Sequence, residues 1–564
     1  MSGKKAMRVV LMWHMHQPEY RNLRTATVHL PWTYLHAIKD YVDMAAHLEA
    51  IPGAKSVVNF APILLEQIED YIAQITAYLG GHGTIRDPVL AGLAEPALPG
   101  DQNARLHLIQ DCLRANRERM IDRFEAYARL AAMADWYEDH PRSLIYASNQ
   151  FLADLLVWYH LSWMGESVRR SDARIARLQD KAINFTLHDR RELLQIVLEV
   201  LESVIPRYRA LAERGQVELC MSPYAHPIVP LLLDMESARD AMPDVTLPVN
   251  SHYPGGEDRA RWHVQQGLAT FARVFGVRPV GLWPSEGGVS QSALNLFAAS
   301  DFRWVASGGD VLRNSYSEED TSCSHRVYRF GDAAIDCIFR DDGLSDLIGF
   351  TYSSWHAEDA VDNLVGHMEN IAALCPDRDN CLITIILDGE NAWEYYPENG
   401  FHFLGEIYSR LASHPQLQLT TPQQFLDEQS PTSTHVESLV AGSWVYGTFS
   451  TWIGDQDKNR AWELLIDAKN RFDEQVASGR LSPVTLAAAE KQLAICEGSD
   501  WFWWFGNYNP AATVGQFDQL FRMHLANLYL LLDVEAPAYL SEVISRGGGD
   551  PSHGGVMRHS SETV

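Results

Sequence analysis

Residues 381–394, CLITIILDGENAWE, constrain the fold more than any other stretch. Residues 381–387 form an apolar run rich in β-branched side chains. Such a run predicts a strand buried on both faces, as in parallel sheets covered by helices. It stops at Asp388-Gly389-Glu390, and an indole follows at Trp393. A carboxylate at the end of a buried strand is costly in a packed core and therefore faces a cleft. In barrels of alternating strands and helices the C-terminal strand ends carry the chemistry. An Asp-Gly pair also opens ordinary turns, so this stretch alone supports both readings.

The same grammar recurs along the chain. Residues 8–13 read as a strand that ends in His14-Met15-His16-Gln17-Pro18, and period-two alternation puts His14 and His16 on one side. Two histidines so placed suit a metal ion or, neutral, hydrogen bonds to a polar ligand. Residues 216–221 lead into SPYAHP with His226, and residues 279–283 run through Trp283 to Pro284-Ser285-Glu286-Gly287-Gly288. Glu286 thus repeats the position of Asp388, a carboxylate beyond a buried strand and beside an indole. A charge that complements a helix start is the alternative reading of Glu286. Residues 302–306, 334–340 and 417–420 add strands, the second of them ending in Asp341 and Asp342.

About seven or eight strands alternating with helices such as 31–44, 62–79 and 259–275 predict a parallel β/α barrel over residues 1–429. A helical block at about 103–214 is too long for one crossover helix and reads as an insertion; its aromatic stripe, with Trp158, Tyr159 and Trp163, reads as core. Residues 430–437, SPTSTHVE, read as a polar linker. A C-terminal helical domain follows to about residue 545, with helices over 461–476, 483–496 and 517–532. The Gly- and Ser-rich aromatic segments 442–454 and 497–506 are expected to face a ligand. The tail 546–564 is poor in apolar residues and is expected to be disordered.

Composition narrows the ligand. A net charge of −27 over 564 residues excludes a nucleic-acid binder and an anionic membrane surface, and suits a neutral substrate such as a sugar. The 16 Trp and 22 Tyr supply faces on which sugar rings stack. Seven cysteines without a CxxC pair predict no zinc ribbon and no disulfide framework. The N-terminus reads as a first strand rather than a signal peptide, no run approaches a membrane span, and the cytoplasm is the expected location.

Two acids on different strand ends fit glycoside hydrolysis, in which one carboxyl stays protonated for the leaving oxygen and the other is ionised. Their separation, about 5 Å for retention and roughly 6.5–9.5 Å for inversion, is not legible in sequence. No GxSxG, P-loop or GxGxxG at a strand–helix junction competes. A metal-dependent deacetylase- or mannosidase-like barrel using His14 and His16, and a non-catalytic glucan-binding protein, are the alternatives from other classes.

Three segments, HMHQP from His14, WPSEG from Trp283 and LDGENAWE from Leu387, resemble signature segments of glycoside hydrolase family 57, in the form of its amylopullulanase-type branch. The likeness extends over roughly residues 8–535. It implies a (β/α)7 barrel with a helical C-terminal region that completes the cleft, and a retaining mechanism on α-glucans without cofactor; no metal ligands are assigned, and a bound structural ion stays open. It implies Glu286 as nucleophile and Asp388 as general acid/base. His14 and His16 would hydrogen-bond the sugar, and His226 and Trp283 would line the cleavage subsite. More loosely, Asp341, Asp342, Trp393, Trp444, Trp452, Asp500 and Trp501 would contact the glucan. The family includes 4-α-glucanotransferases and branching enzymes, so hydrolysis and transfer both stay open, as do α-1,6 cleavage and oligomeric state.

Overall fold

The computed structural model describes residues 5–316 and 323–549. Its centre is a ten-stranded sheet. Seven strands form the barrel wall: β1 (Met7–Met15), β2 (Ser56–Phe60), β3 (Val217–Met221), β4 (Gly281–Leu282), β5 (Trp304–Ser307), β6 (Asp336–Phe339) and β7 (Leu382–Asp388). They run parallel in the order β7-β1-β2-β3-β4-β5-β6. Among the described residues β6 and β7 form no ladder, so the barrel is open there. The gap is spanned by the Asp341 N–H on the Thr384 carbonyl (2.7 Å) and by Arg340 Nε on the Ile386 carbonyl (2.8 Å).

Strand alternation sorts the apolar residues into two cores. Val10, Met12, Val57, Cys220, Trp283, Ala306, Ile338 and Ile386 fill the barrel. Val9, Leu11, Trp13, Val58, Leu219, Ile383, Ile385 and Leu387 pack outward under the helices. Both faces are buried, as the unbroken apolar runs predict. The same period of two carries forward to the strand ends: Asp388 follows Ile386 and His14 follows Met12, so both belong to the interior face at the barrel mouth. Register places His14 opposite Asp388 on β7 and Asn59 on β2.

Two expected boundaries move. Thr434–Val436 is not a linker but a strand that runs parallel to Tyr328–Phe330, with Val436 8% exposed. Burying that valine against the sheet outweighs the polar composition around it. At the tail, the Gly548 and Gly549 N–H groups both donate to the Asn509 carbonyl at 3.0 Å, so residues 546–549 are ordered by backbone pairing; residues 550–564 lie outside the described set.

The helix expected over 31–44 is broken into Trp32–His36, a π-turn Ala37–Tyr41, and Val42–Ala50. Such π-turns concentrate at functional sites. The insertion comprises Gln102–Asp111, Glu125–Asp139, Asn149–Ser162 and shorter helices, while Leu187–Glu213 returns to the barrel wall ahead of β3. Helices Gln456–Ala477, Pro483–Cys496, Asp500–Trp504 and Ala511–Leu531 make the C-terminal region. A fully buried carboxylate, Glu497, ties that region to the barrel: it accepts from Arg259 (2.8 Å), His263 (2.8 Å) and Tyr253 (2.6 Å). An ion pair this dry persists because every lone pair is satisfied. Among the described residues no helix is long and apolar enough to cross a membrane.

Candidate active site

A cavity of about 1060 Å³ opens at the C-terminal ends of the barrel strands and is walled on its far sides by the insertion and the C-terminal region. His14, His16, Glu286, Asp388, Trp444 and Asp500 all line it, though they come from widely separated parts of the chain.

Asp388 ends β7 with its backbone held by β1, because the Gly389 N–H donates to the His14 carbonyl at 2.8 Å. A Cβ on Gly389 would sit 2.3 Å from the Met15 sulfur, so a larger residue there needs the buried Met15 side chain to move aside. The Asp388 carboxyl receives the Asn391 side-chain amide at 3.2 Å. Burial pushes its pKa up to about 6, against opposing pulls from Asn391, His16 and Arg340.

Glu286 follows β4 in the tight turn Ser285–Gly287 and has φ +58°, a left-handed conformation uncommon for a side-chain-bearing residue. Strain of this kind persists where surrounding contacts over-determine it. Here the Trp444 N–H donates to the Glu286 carbonyl (3.0 Å) and the Trp444 indole N–H donates to its Oε2 (2.9 Å). An N–H aimed at a carboxylate oxygen stabilises it as an anion. Trp283, fully buried, packs edge-on beneath Trp444 at 5.2 Å.

Beside these acids lie three imidazoles in a stack. His226 is 3.9 Å from His16 and 5.0 Å from His14, centroid to centroid. Burial pushes His14 down to about 3, helped by His16; it pushes His226 well below the ordinary value, helped by His16 and His14. Neutral His14, with its Nδ1 on Asn59 Oδ1 at 2.5 Å, has Nε2 left as an acceptor. His226 has φ +61°, its Nδ1 on Ser499 Oγ at 2.9 Å and 3.8 Å from Glu286 Oε1. His16 Nε2 lies 2.8 Å from Asp500 Oδ1. His16, His226 and Asp500 offer ligand atoms within 4.8 Å of one another. The His16 and His226 rings nevertheless face each other at 22°, so an ion in the plane of one ring would lie off the plane of the other. The stack suits neutral hydrogen-bonding groups better than a shared metal.

Seven of the expected contacts do not line the cavity; two of them, the fully buried His226 and Trp283, sit behind His16 and Trp444. Trp393, Trp452 and Trp501 are at most 1% exposed and do not line the cavity. The Trp393 N–H is taken by the Gly389 carbonyl and its ring packs on Trp13; Trp501 donates to the Ile495 carbonyl; Trp452 packs beside Trp503. Asp341 caps Leu344 and pairs with His325 at 2.8 Å. Asp342 pairs with Arg340 (3.0 Å) and Arg313 (2.8 Å). Asp342, with Asp346 at 2.8 Å, orients Arg340, whose guanidinium lies 5.6 Å over Trp444. These residues support the site from behind instead of touching its contents.

Sequence reasoning missed others. Glu390, two residues past Asp388, lines the cavity, takes the Gln17 amide at 2.7 Å and pairs with the Tyr41 hydroxyl; burial above all drives its pKa well up. Trp32, His36, Trp163 and Glu394 line one wall; Tyr508 lines another together with Trp503 and Trp504, which belong to the segment 497–506 expected to face a ligand. Trp163 belongs to the aromatic stripe assigned to packing; Glu390 and Glu394 stood in plain view inside LDGENAWE.

A model of glycosyl hydrolase family 57 matches residues 10–438, well over half of the chain. The chain belongs to that family. It is accordingly an enzyme of the glycoside hydrolase and transferase kind. No curated protein matches this family 57 chain in sequence. Its fold is similar to that of a branching enzyme from Thermococcus kodakaraensis (14% identity, 95% of this chain and 94% of that one, TM-score 0.56). It is likewise similar to the alpha-amylase AmyC from Thermotoga maritima (11% identity, 94% and 93%, TM-score 0.55). A 4-alpha-glucanotransferase from Thermococcus litoralis shares the fold at 13% identity, 93% and 60% coverage and TM-score 0.51. At these identities the likeness is one of fold.

Proposed function

We propose that this family 57 enzyme cleaves α-1,4 bonds of α-glucans with retention, Glu286 acting as nucleophile and Asp388 as general acid/base. The observation that carries this reading is the unequal treatment of the two carboxyls in one cavity. Asp388, raised to about 6, keeps a protonated fraction near neutrality and gives its proton to the glycosidic oxygen as the C–O bond breaks. Glu286, with the Trp444 N–H on one oxygen, attacks the anomeric carbon to form a glycosyl ester. Asp388, now ionised, then takes a proton from the incoming acceptor, and the ester bond breaks as the new bond forms. Neutral His14 and the His16–Asp500 pair supply an acceptor and polar groups for sugar hydroxyls.

The names of the structural relatives, a branching enzyme, an alpha-amylase and a 4-alpha-glucanotransferase, support an α-glucan as substrate. They also keep a second reading alive, transfer to a sugar hydroxyl. The aromatic wall of Trp503, Trp504 and Tyr508 favours that reading, since stacked sugars there would compete with water. A product profile on maltoheptaose, pullulan and glycogen decides between them. Shorter products with rising reducing ends identify a hydrolase, and maltotriose from pullulan adds α-1,6 cleavage. Products longer than the donor with little gain in reducing ends identify a transferase. No change in any substrate would overturn the assignment.

A further inference from the structure

One wall of the cavity carries polar groups with nothing to bind. Trp163, at the end of helix Asn149–Ser162 in the insertion, is 1% exposed, yet it lines the cavity and its indole N–H has no hydrogen-bond partner. Glu394 lines the same cavity, and no described group hydrogen-bonds its carboxyl. Lys39 acts on Glu394 through its charge alone, and a buried donor and a partly buried acceptor without hydrogen bonds cost free energy unless a ligand meets them.

The neighbours of these groups are already engaged and hold them still. Lys39, fully buried on the π-turn, pairs with Asp40 at 2.6 Å and lies 5.2 Å over the Trp163 ring. Asp40 also holds His36 Nδ1 at 2.7 Å, which leaves Nε2 as the acceptor of a neutral ring. The Trp32 and Trp163 rings stand 5.8 Å apart at 47°, and His36 meets Trp163 edge-on at 5.4 Å. The face of the half-buried Trp32, one N–H donor from Trp163, an imidazole acceptor and a carboxyl match a pyranose, whose C–H face stacks on an aromatic ring while its hydroxyls both donate and accept. An anion would meet Glu394 and Asp40, and Lys39 already places a cation against Trp163.

The wall is also offset from the chemistry. Tyr41 is hydrogen-bonded to Glu390, beside Asp388, whereas His36 lies five residues earlier in the same helical segment. Five helical residues advance roughly 7.5 Å, more than the width of one sugar ring. We propose that Trp32, His36, Trp163 and Glu394 form a distal subsite, contributed in part by the insertion, that holds a glucosyl ring at least one unit from the scissile bond. The proposal rests on the α-glucan reading and adds to it a determinant of chain-length preference.

Glu394→Gln and Trp163→Phe test it, with kcat/KM measured on maltoheptaose and on α-glucosyl fluoride, a single ring that reaches the cleavage subsite alone. The expected loss on maltoheptaose exceeds that on the fluoride by roughly tenfold, the worth of about one lost hydrogen bond, and appears mainly in KM. Equal losses on both substrates, or none on maltoheptaose, would overturn the subsite. Maltoheptaose binding followed by tryptophan fluorescence separates the two levels of inference. Wild-type protein that binds no maltoheptaose overturns the α-glucan reading and the subsite with it. Binding that is undiminished in both variants overturns the subsite alone. If Trp163→Phe fails to fold, the isosteric Glu394→Gln carries the test.

Discussion

The ends of β4 and β7 each present a carboxylate to the same cavity and treat it in opposite ways. At β4, Glu286 sits on a left-handed turn and is met by an indole N–H from a segment 158 residues away. At β7, Asp388 continues the regular interior face of its strand and has one amide at 3.2 Å. Donors favour an anion and dry surroundings favour the neutral acid, so environment alone separates a nucleophile from a proton donor. The lesson is that the division of labour lies in what each strand end is given by the rest of the chain, since the two residue types are chemically interchangeable.

The largest effect that would break this comparison is expected from Glu286→Gln. Loss of the attacking oxygen should lower kcat by roughly 10⁴-fold or more, measured on maltoheptaose with folding checked by circular dichroism. A variant of near wild-type rate would remove Glu286 from the chemistry. Next comes Asp388→Asn. Glycosides with poor leaving groups should slow by roughly 10²–10⁴-fold, whereas an α-glucosyl fluoride, whose departure needs no proton, should lose much less in its first step. Equal losses would mean that Asp388 is not the acid.

Trp444→Phe sharpens the comparison by removing the donor that distinguishes β4. A hydrogen bond to a charged group is worth about 1.5–3 kcal/mol, so kcat should fall roughly 10- to 100-fold with little change in KM. The smallest effect concerns stability. Asp388 has a folded pKa of about 6, above its ordinary value of 3.8. The unfolded chain therefore releases its proton first as pH rises, and the site's burden on folding grows between about pH 4 and pH 6 and persists above. Asp388→Asn should accordingly raise Tm relative to wild type at pH 8 and show little difference at pH 4. The same titration predicts that kcat/KM declines as pH rises through about 6 in the free enzyme.

Much of this was legible before any coordinates. The unbroken apolar runs foretold strands buried on both faces, period-two alternation put His14 and His16 on one side, and the cost of burying an acid put Asp388 at a strand end facing a cleft. Glu286 was legible for a different reason, the repetition of a carboxylate beside an indole past a strand. What sequence obscured was which way each tryptophan turns. Trp393, adjacent in sequence to the acid, faces Trp13 in the outer core, while Trp163, in an apolar helix, turns into the cavity. Helical and loop indoles look alike in composition, and long-range packing decides their direction. Asp341 and Asp342 misled for a related reason. A strand-end acid faces a cleft only when no cation claims it, and Arg340, Arg313 and His325 claim these two.

The most direct test of the central claim is to trap the glycosyl ester. A slow, fluorine-substituted α-glucosyl fluoride should inactivate the wild-type enzyme, add one fluoroglucosyl mass to the intact protein, and place that mass on the peptide bearing Glu286. A label on any other carboxylate, or turnover to a product of inverted configuration with no covalent adduct, would contradict the assignment of Glu286 as nucleophile and Asp388 as acid.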